Sequence, residues 1–309
     1  QERNSRIASP ASLPKDASDV ALTPDGTVMA VAHWGSPYVT TYDWINEEWV
    51  RRPDPASRPA GVCNGVALTH DGTVMAVAHR SSPYVTTYDW IEGAWVKRPN
   101  PASLPTGECY GVALTHDGTV MAVAYGNSPY VITYDWIEGA WVRRPDPASR
   151  PPSSGYGVAL THDGTVMAVA HSDSPYVTTY DWINDEWVKR PNPVSLPTGN
   201  GRGVALTPDG TVMAVAHFDS PYVTTYDWID EEWVKRPNIA LGSASDVALT
   251  PDGSLMAVAH GSSLCVTTYM GLPFTQITFD TPPALGDAIT ADYIVDGVHK
   301  TDQYVIDVS

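Results

Sequence analysis

Three cysteines in 309 residues leave little room for covalent stapling. Cys63, Cys109 and Cys265 match no metal-ligand spacing, and an odd number cannot all pair internally. Cys63 and Cys109 stand 46 residues apart. A bridge between them would need Cα atoms within about 7 Å, so they read as free thiols. Positive charge is also scarce: 18 Lys and Arg against 35 Asp and Glu give a net charge of −17. A field of that sign repels phosphate backbones and anionic bilayers, which argues against nucleic-acid and membrane-surface roles. No run of 18 apolar residues occurs, so no segment reads as a membrane-spanning helix and no membrane insertion is expected. Gly-x-Ser-x-Gly, His-Glu-x-x-His and the P-loop pattern are missing as well. The chain begins at Gln1, which leaves open whether residues precede it.

What is present is repetition. Val-Ala-Leu-Thr starts at Val20, Val66, Val112, Val158, Val204 and Val247, at spacings of 46, 46, 46, 46 and 43. A strand-rich period of about 40–50 residues is the length of one β-propeller blade. In the copy from Gly65 to Tyr110 four strands are expected: Val66–Thr69, Thr73–His79, Pro83–Trp90 and Trp95–Arg98. His70-Asp71-Gly72 reads as a tight Asp-Gly hairpin turn. The second strand is apolar nearly throughout, as suits a strand covered on both faces, and the Lys-Arg-Pro end of the fourth discourages further pairing.

Strands one to three occur six times, but the fourth, marked by Trp49, Trp95, Trp141, Trp187 and Trp233, only five. Pro10–Pro14 matches the end of a repeat, Pro101–Pro105, so Arg6–Ala8 falls where a fourth strand belongs. The expected fold is therefore all-β, a six-bladed propeller over residues 1–270 whose N-terminal strand, residues 5–9, completes the last blade. Residues 271–309 leave the pattern. Thr275–Asp280, Ala288–Val295 and Gln303–Val308 read there as strands, too few residues to bury much core alone. This segment is expected to dock on the propeller rim or pair with another chain, making a homo-oligomer the expected state.

The repeats differ at two places. One follows strand two: Trp34-Gly35, Arg80-Ser81, Gly126-Asn127, Ser172-Asp173, Phe218-Asp219 and Gly261-Ser262. The other precedes strand one: Ser18-Asp19, Cys63-Asn64, Cys109-Tyr110, Gly155-Tyr156, Gly201-Arg202 and Ser245-Asp246. In an antiparallel blade both links lie at the same end. Trp34, Arg80, Tyr110, Asn127, Tyr156, Asp173, Arg202, Phe218 and Asp219 thus form a candidate ligand-binding face, with loop drift as the competing account. His33, His79, His171, His217 and His260 end strand two and are expected to hydrogen-bond a neighbouring blade, because blade spacing exceeds metal-ligand geometry. The repeated Asp-Gly turns and the Tyr-Asp-Trp and Trp positions read as structural. Near-identical repeats offer no asymmetric polar cluster, so no enzyme, cofactor or metal site is expected.

The pattern VALTPDGTVMAVAH…SPYVTTYDW resembles WD-repeat-like propeller repeats of bacteriophage and prophage proteins, as does the linker Arg98–Gly107. Residues 277–309 are similar to the C-terminal segment of phage tail and other virion proteins. The resemblance implies a virion or tail surface protein, extracellular in location. Its C-terminal segment would meet other virion proteins, and its variable face a host-surface glycan or protein. A purely structural decoration protein and an extracellular propeller hydrolase are the alternatives.

Overall fold

A computed structural model describes residues 10, 14, 16–238, 243–260, 266–270, 288–295 and 298–305. The chain divides into two compact units, 1–273 and 274–309. No helix occurs among the described residues.

The first unit contains six antiparallel sheets in sequence order, five of four strands and a sixth of three, as expected of propeller blades. In the second blade the strands are Cys63–Leu68, Val74–His79, Val85–Ile91 and Ala94–Lys97. The first begins earlier than expected because a register shift between Cys63 and Gly65 lets pairing continue to His79. The second strand is sandwiched: Met75, Ala76, Val77 and Ala78 are wholly buried. Its alanines let neighbouring sheets approach while Val and Met fill the gap. The cores lie between blades. One joins Ala30, Ala32 and Val39 of the first blade to Met75, Val77, Tyr88 and Trp95 of the second. First strands of consecutive blades lie against one another from the first to the sixth. Gly111 permits this approach, since a Cβ there would fall 2.8 Å from the Tyr156 carbonyl oxygen.

Polar groups lock the same joints. Trp95 Nε1–H donates to Thr41 Oγ1 of the preceding blade at 2.8 Å, and Trp141, Trp187 and Trp233 repeat the bond. Arg98 turns inward, its Nε and Nη2 donating to Asp89 Oδ1 at 2.9 and 2.7 Å. Its guanidinium carbon sits 4.2 Å from the Trp136 ring centroid of the next blade. The Lys-Arg-Pro end of strand four is therefore more than an edge guard: its Arg is a buried clamp between blades. The Tyr-Asp-Trp positions serve blade packing.

The Asp-Gly turn is longer than the expected two-residue hairpin. Gly72 N–H donates to the Thr69 carbonyl at 3.0 Å, and Asp71 Oδ1 accepts from the Thr69 hydroxyl and the Thr73 amide at 2.8 and 3.0 Å. Gly72 has positive φ, whereas Asp71 does not. The two-residue turn with both central residues at positive φ instead joins strands three and four, at Glu92 (49°) and Gly93 (81°).

The expected closure is not seen among the described residues. The sixth sheet stops at three strands, Ala244–Leu249, Leu255–His260 and Val266–Met270, and residues 5–9 lie outside the described residues. Accordingly Val20 in the first blade is 56% exposed while its counterpart Val66 is 4% exposed.

In the second unit, Ala288–Val295 and Val298–Val305 form an antiparallel hairpin with Val295 opposite Val298. The last strand thus starts before the expected Gln303. The strand expected over Thr275–Asp280 lies outside the described residues.

Candidate ligand-binding face

Because each sheet is antiparallel in sequence order, the links from strand two to three and from strand four to the next strand one share an end, here named the loop face. The two-to-three link carries a cis Ser-Pro bond in each of the first five blades. The structure brings six of the nine candidate residues together as three separate pairs. Arg80 lies over the Trp34 ring, 5.5 Å from its centroid, and Arg202 lies over Phe218 at 5.1 Å. The Tyr110 and Tyr156 rings are 5.4 Å apart. Trp34 is 53% and Phe218 60% exposed.

The other three brace loops. Asn127 Nδ2 donates to the Thr106 carbonyl at 3.1 Å. The Asp173 amide donates to Ser153 Oγ at 2.9 Å, and the Asp219 carbonyl accepts from the Tyr222 amide at 2.7 Å. Both aspartates remain exposed.

Around Trp34 a shallow, open depression of about 440 Å³ is lined by Asp16, Ala17, Ser18, Trp34, Asn64 and Arg80. Arg80 Nε donates to Asn64 Oδ1 at 3.2 Å, and Asn64 Nδ2 donates to the Cys109 carbonyl at 2.8 Å, so the polar wall is held by two blades. Nine of the eleven arginines among the described residues pair with an aspartate; Arg80 and Arg202 are the other two. Both belong to this face. Burial and Glu108 push the Tyr110 phenol above its ordinary value, while Arg80 pulls the other way.

Three of the strand-two histidines are structural, with partners that differ from expectation; His33 is buried with its Nε2 unpartnered, and the His260 side chain lies outside the described residues. His79, His171 and His217 are fully buried and meet Thr86, Thr178 and Thr224 of their own blades at 2.8–2.9 Å. Burial lowers each imidazole to about 4. The repeats carried the signal: where Tyr125 replaces the histidine, Ile132 replaces the threonine.

A second feature was hidden by alignment. Ala17 pairs with His33 as Cys63 pairs with His79, so Ala17-Ser18, and not Ser18-Asp19, corresponds to Cys63-Asn64. Asp19 and Asp246 therefore stand where the four middle repeats have Gly65, Gly111, Gly157 and Gly203. Asp19 Oδ2 accepts from the Val66 amide of the next blade at 2.8 Å. Asp19 is half-buried and Asp246 exposed; desolvation by the surrounding strands raises both carboxyls, and for Asp19 the charge of Asp246 adds to it.

No protein-family model and no curated protein matches the chain. Among solved structures the chain is similar to hydrazine synthase of Kuenenia stuttgartiensis, with a TM-score of 0.53 and 16% identity over 85% of this chain and 97% of that one. At that identity the likeness is one of fold alone.

Proposed function

We propose that this propeller is a non-enzymatic recognition module of a virion or tail surface, binding a host-surface glycan through its loop face. The observation that carries the reading is the Trp34 depression. An exposed indole offers an apolar platform for the C–H face of a sugar ring, and Arg80, Asn64 and Asp16 beside it supply donors and acceptors for hydroxyls. Phe218 with Arg202 repeats the aromatic–guanidinium pairing elsewhere on the face. Two separated subsites suit a ligand presented in many copies, where weak contacts add through avidity. The virion setting rests on the resemblance of the repeats and of residues 277–309 to phage proteins. In this reading residues 271–309 dock the propeller to other virion proteins.

The test is glycan-array binding of the purified chain beside a Trp34→Ala/Phe218→Ala double variant. Binding by the chain that the variant loses supports the reading and locates the site. Silence from both, with the proteins displayed multivalently, refutes it in favour of a structural decoration protein.

A further inference from the structure

Arg80 and Arg202 are foreign to the repeat: no other copy carries an arginine at either position. They reach the loop face by different routes. Arg80 follows strand two of the second blade and lies over Trp34 of the first, whereas Arg202 belongs to strand one of the fifth blade and lies over Phe218 of that same blade. Both routes end in one arrangement, an exposed guanidinium on an exposed aromatic ring. We infer, building on the glycan reading of this face, that it takes an acidic polysaccharide, a linear glycan bearing carboxylate or sulfate groups. Arg80 and Arg202 pair its anionic groups, and Tyr110 and Tyr156 carry the sugar rings between them.

A bulge sets the line of the ligand. Register shifts in the first strands leave Asn64, Tyr110, Tyr156 and Arg202 without a strand-two partner at the same place in blades two to five, and a bulge re-aims the side chain of its extra residue. These first strands lie against one another in turn. Asn64 Nδ2 donates to the Cys109 carbonyl at 2.8 Å, and Gly111 and Gly157 let the next blade's backbone come close. The four side chains therefore follow one another as an arc. Arg80 joins one end through its bond to Asn64, and Arg202 forms the other. Between them, the charge of Arg80 acts on the Tyr110 phenol, and the Tyr110 ring is 5.4 Å from that of Tyr156. Aromatic faces in that position suit the C–H faces of successive sugar rings.

The arginines are set for an anion. Asn64 Oδ1 accepts from Arg80 Nε at 3.2 Å, which orients the guanidinium and leaves its Nη donors for a ligand. Among the described residues no carboxylate pairs with Arg80 or Arg202; Asp16 lines the same depression without pairing with Arg80. The guanidinium fork matches two oxygens of a carboxylate or sulfate at once, and stacking on a ring reduces the ordering cost of binding. The net charge of −17 opposes an anionic ligand at long range, but physiological salt confines that field to about 8 Å, so the charges at contact decide. The same field means that general attraction does not hold a polyanion on this chain.

The experiment compares matched polymers by calorimetry on the full chain: polygalacturonate against its fully methyl-esterified form, and dextran sulfate against dextran. Each pair shares a sugar backbone and differs in charge, so the first reads a carboxylate and the second a sulfate. In at least one pair the charged member should bind at least about tenfold tighter than the neutral one. Arg80→Gln/Arg202→Gln should erase that advantage with the melting temperature unchanged, since both side chains are exposed. Equal binding of charged and neutral members in both pairs overturns the acidic ligand while leaving the glycan reading in place. A charge preference that survives in the double variant also overturns it, because the anion then binds elsewhere. Absence of binding to all four polymers overturns it too, and the glycan array with the Trp34→Ala/Phe218→Ala variant tells whether the glycan reading falls with it.

Discussion

Acidification from pH 7 to pH 5 should load protons onto the unfolded chain at three imidazoles that the folded propeller keeps neutral. His79, His171 and His217 titrate at about 4 when buried against Thr86, Thr178 and Thr224, and at about 6.5 in an unfolded chain. A depressed histidine value gives stability that is complete above about 6.5 and is lost as pH falls toward 4. At pH 5 the linkage relation gives about 2 kcal/mol per histidine and about 6 kcal/mol for the three, comparable with the whole stability of many domains. Asp19 and Asp246 act with the opposite sign, because raised carboxyls make the folded state bind protons more tightly than the unfolded one. A difference between variants isolates the histidine part. The protein supplies the perturbation itself, in the Tyr125–Ile132 pair of the third blade. Transplanting it as His79→Tyr/Thr86→Ile should make the loss of unfolding free energy between pH 7 and pH 5 smaller by about 2 kcal/mol. Denaturant titrations followed by tryptophan fluorescence and far-ultraviolet circular dichroism at the two pH values would measure it. An equal loss in parent and variant would refute the assignment of acid sensitivity to these imidazoles.

Two further outcomes follow from the blade joints and turns. Arg98→Met should cost about 2–4 kcal/mol, because it strands Asp89 and removes the cation from the Trp136 face; equilibrium unfolding of parent and variant checks this. Glu47 holds φ at 65° where the second and third blades have Gly93 and Gly139. Glu47→Gly should therefore raise stability by about 1 kcal/mol and Gly93→Glu lower it by a similar amount, read from the same denaturant curves.

Much of the fold was legible because a blade is defined by local signals that recur. Apolar Val-Met-Ala-Val-Ala requires a strand covered on both faces, Asp-Gly marks a turn, and the 46-residue spacing fixes the unit. Strand ends were read less well where pairing across a bulge decided them, as at Cys63 and Gly65. The Asp-Gly turn was misjudged in type because its length depends on the Thr69 and Thr73 side-chain bonds to Asp71. The candidate face was legible as a set of variable positions but not as an arrangement. Nothing in the order of residues says that Arg80 lies over Trp34 of the preceding blade, or that Tyr110 and Tyr156 approach one another.

By itself the sequence determined the strand-rich repeat, the number of copies and which links share an end, because these follow from periodicity and antiparallel connection. Tertiary structure decided what a repeated residue does, since its partner belongs to a different blade. Arg98 became a clamp only when Trp136 was brought beneath it, and Asn64, Tyr110, Tyr156 and Arg202 became one arc only when four blades were set side by side.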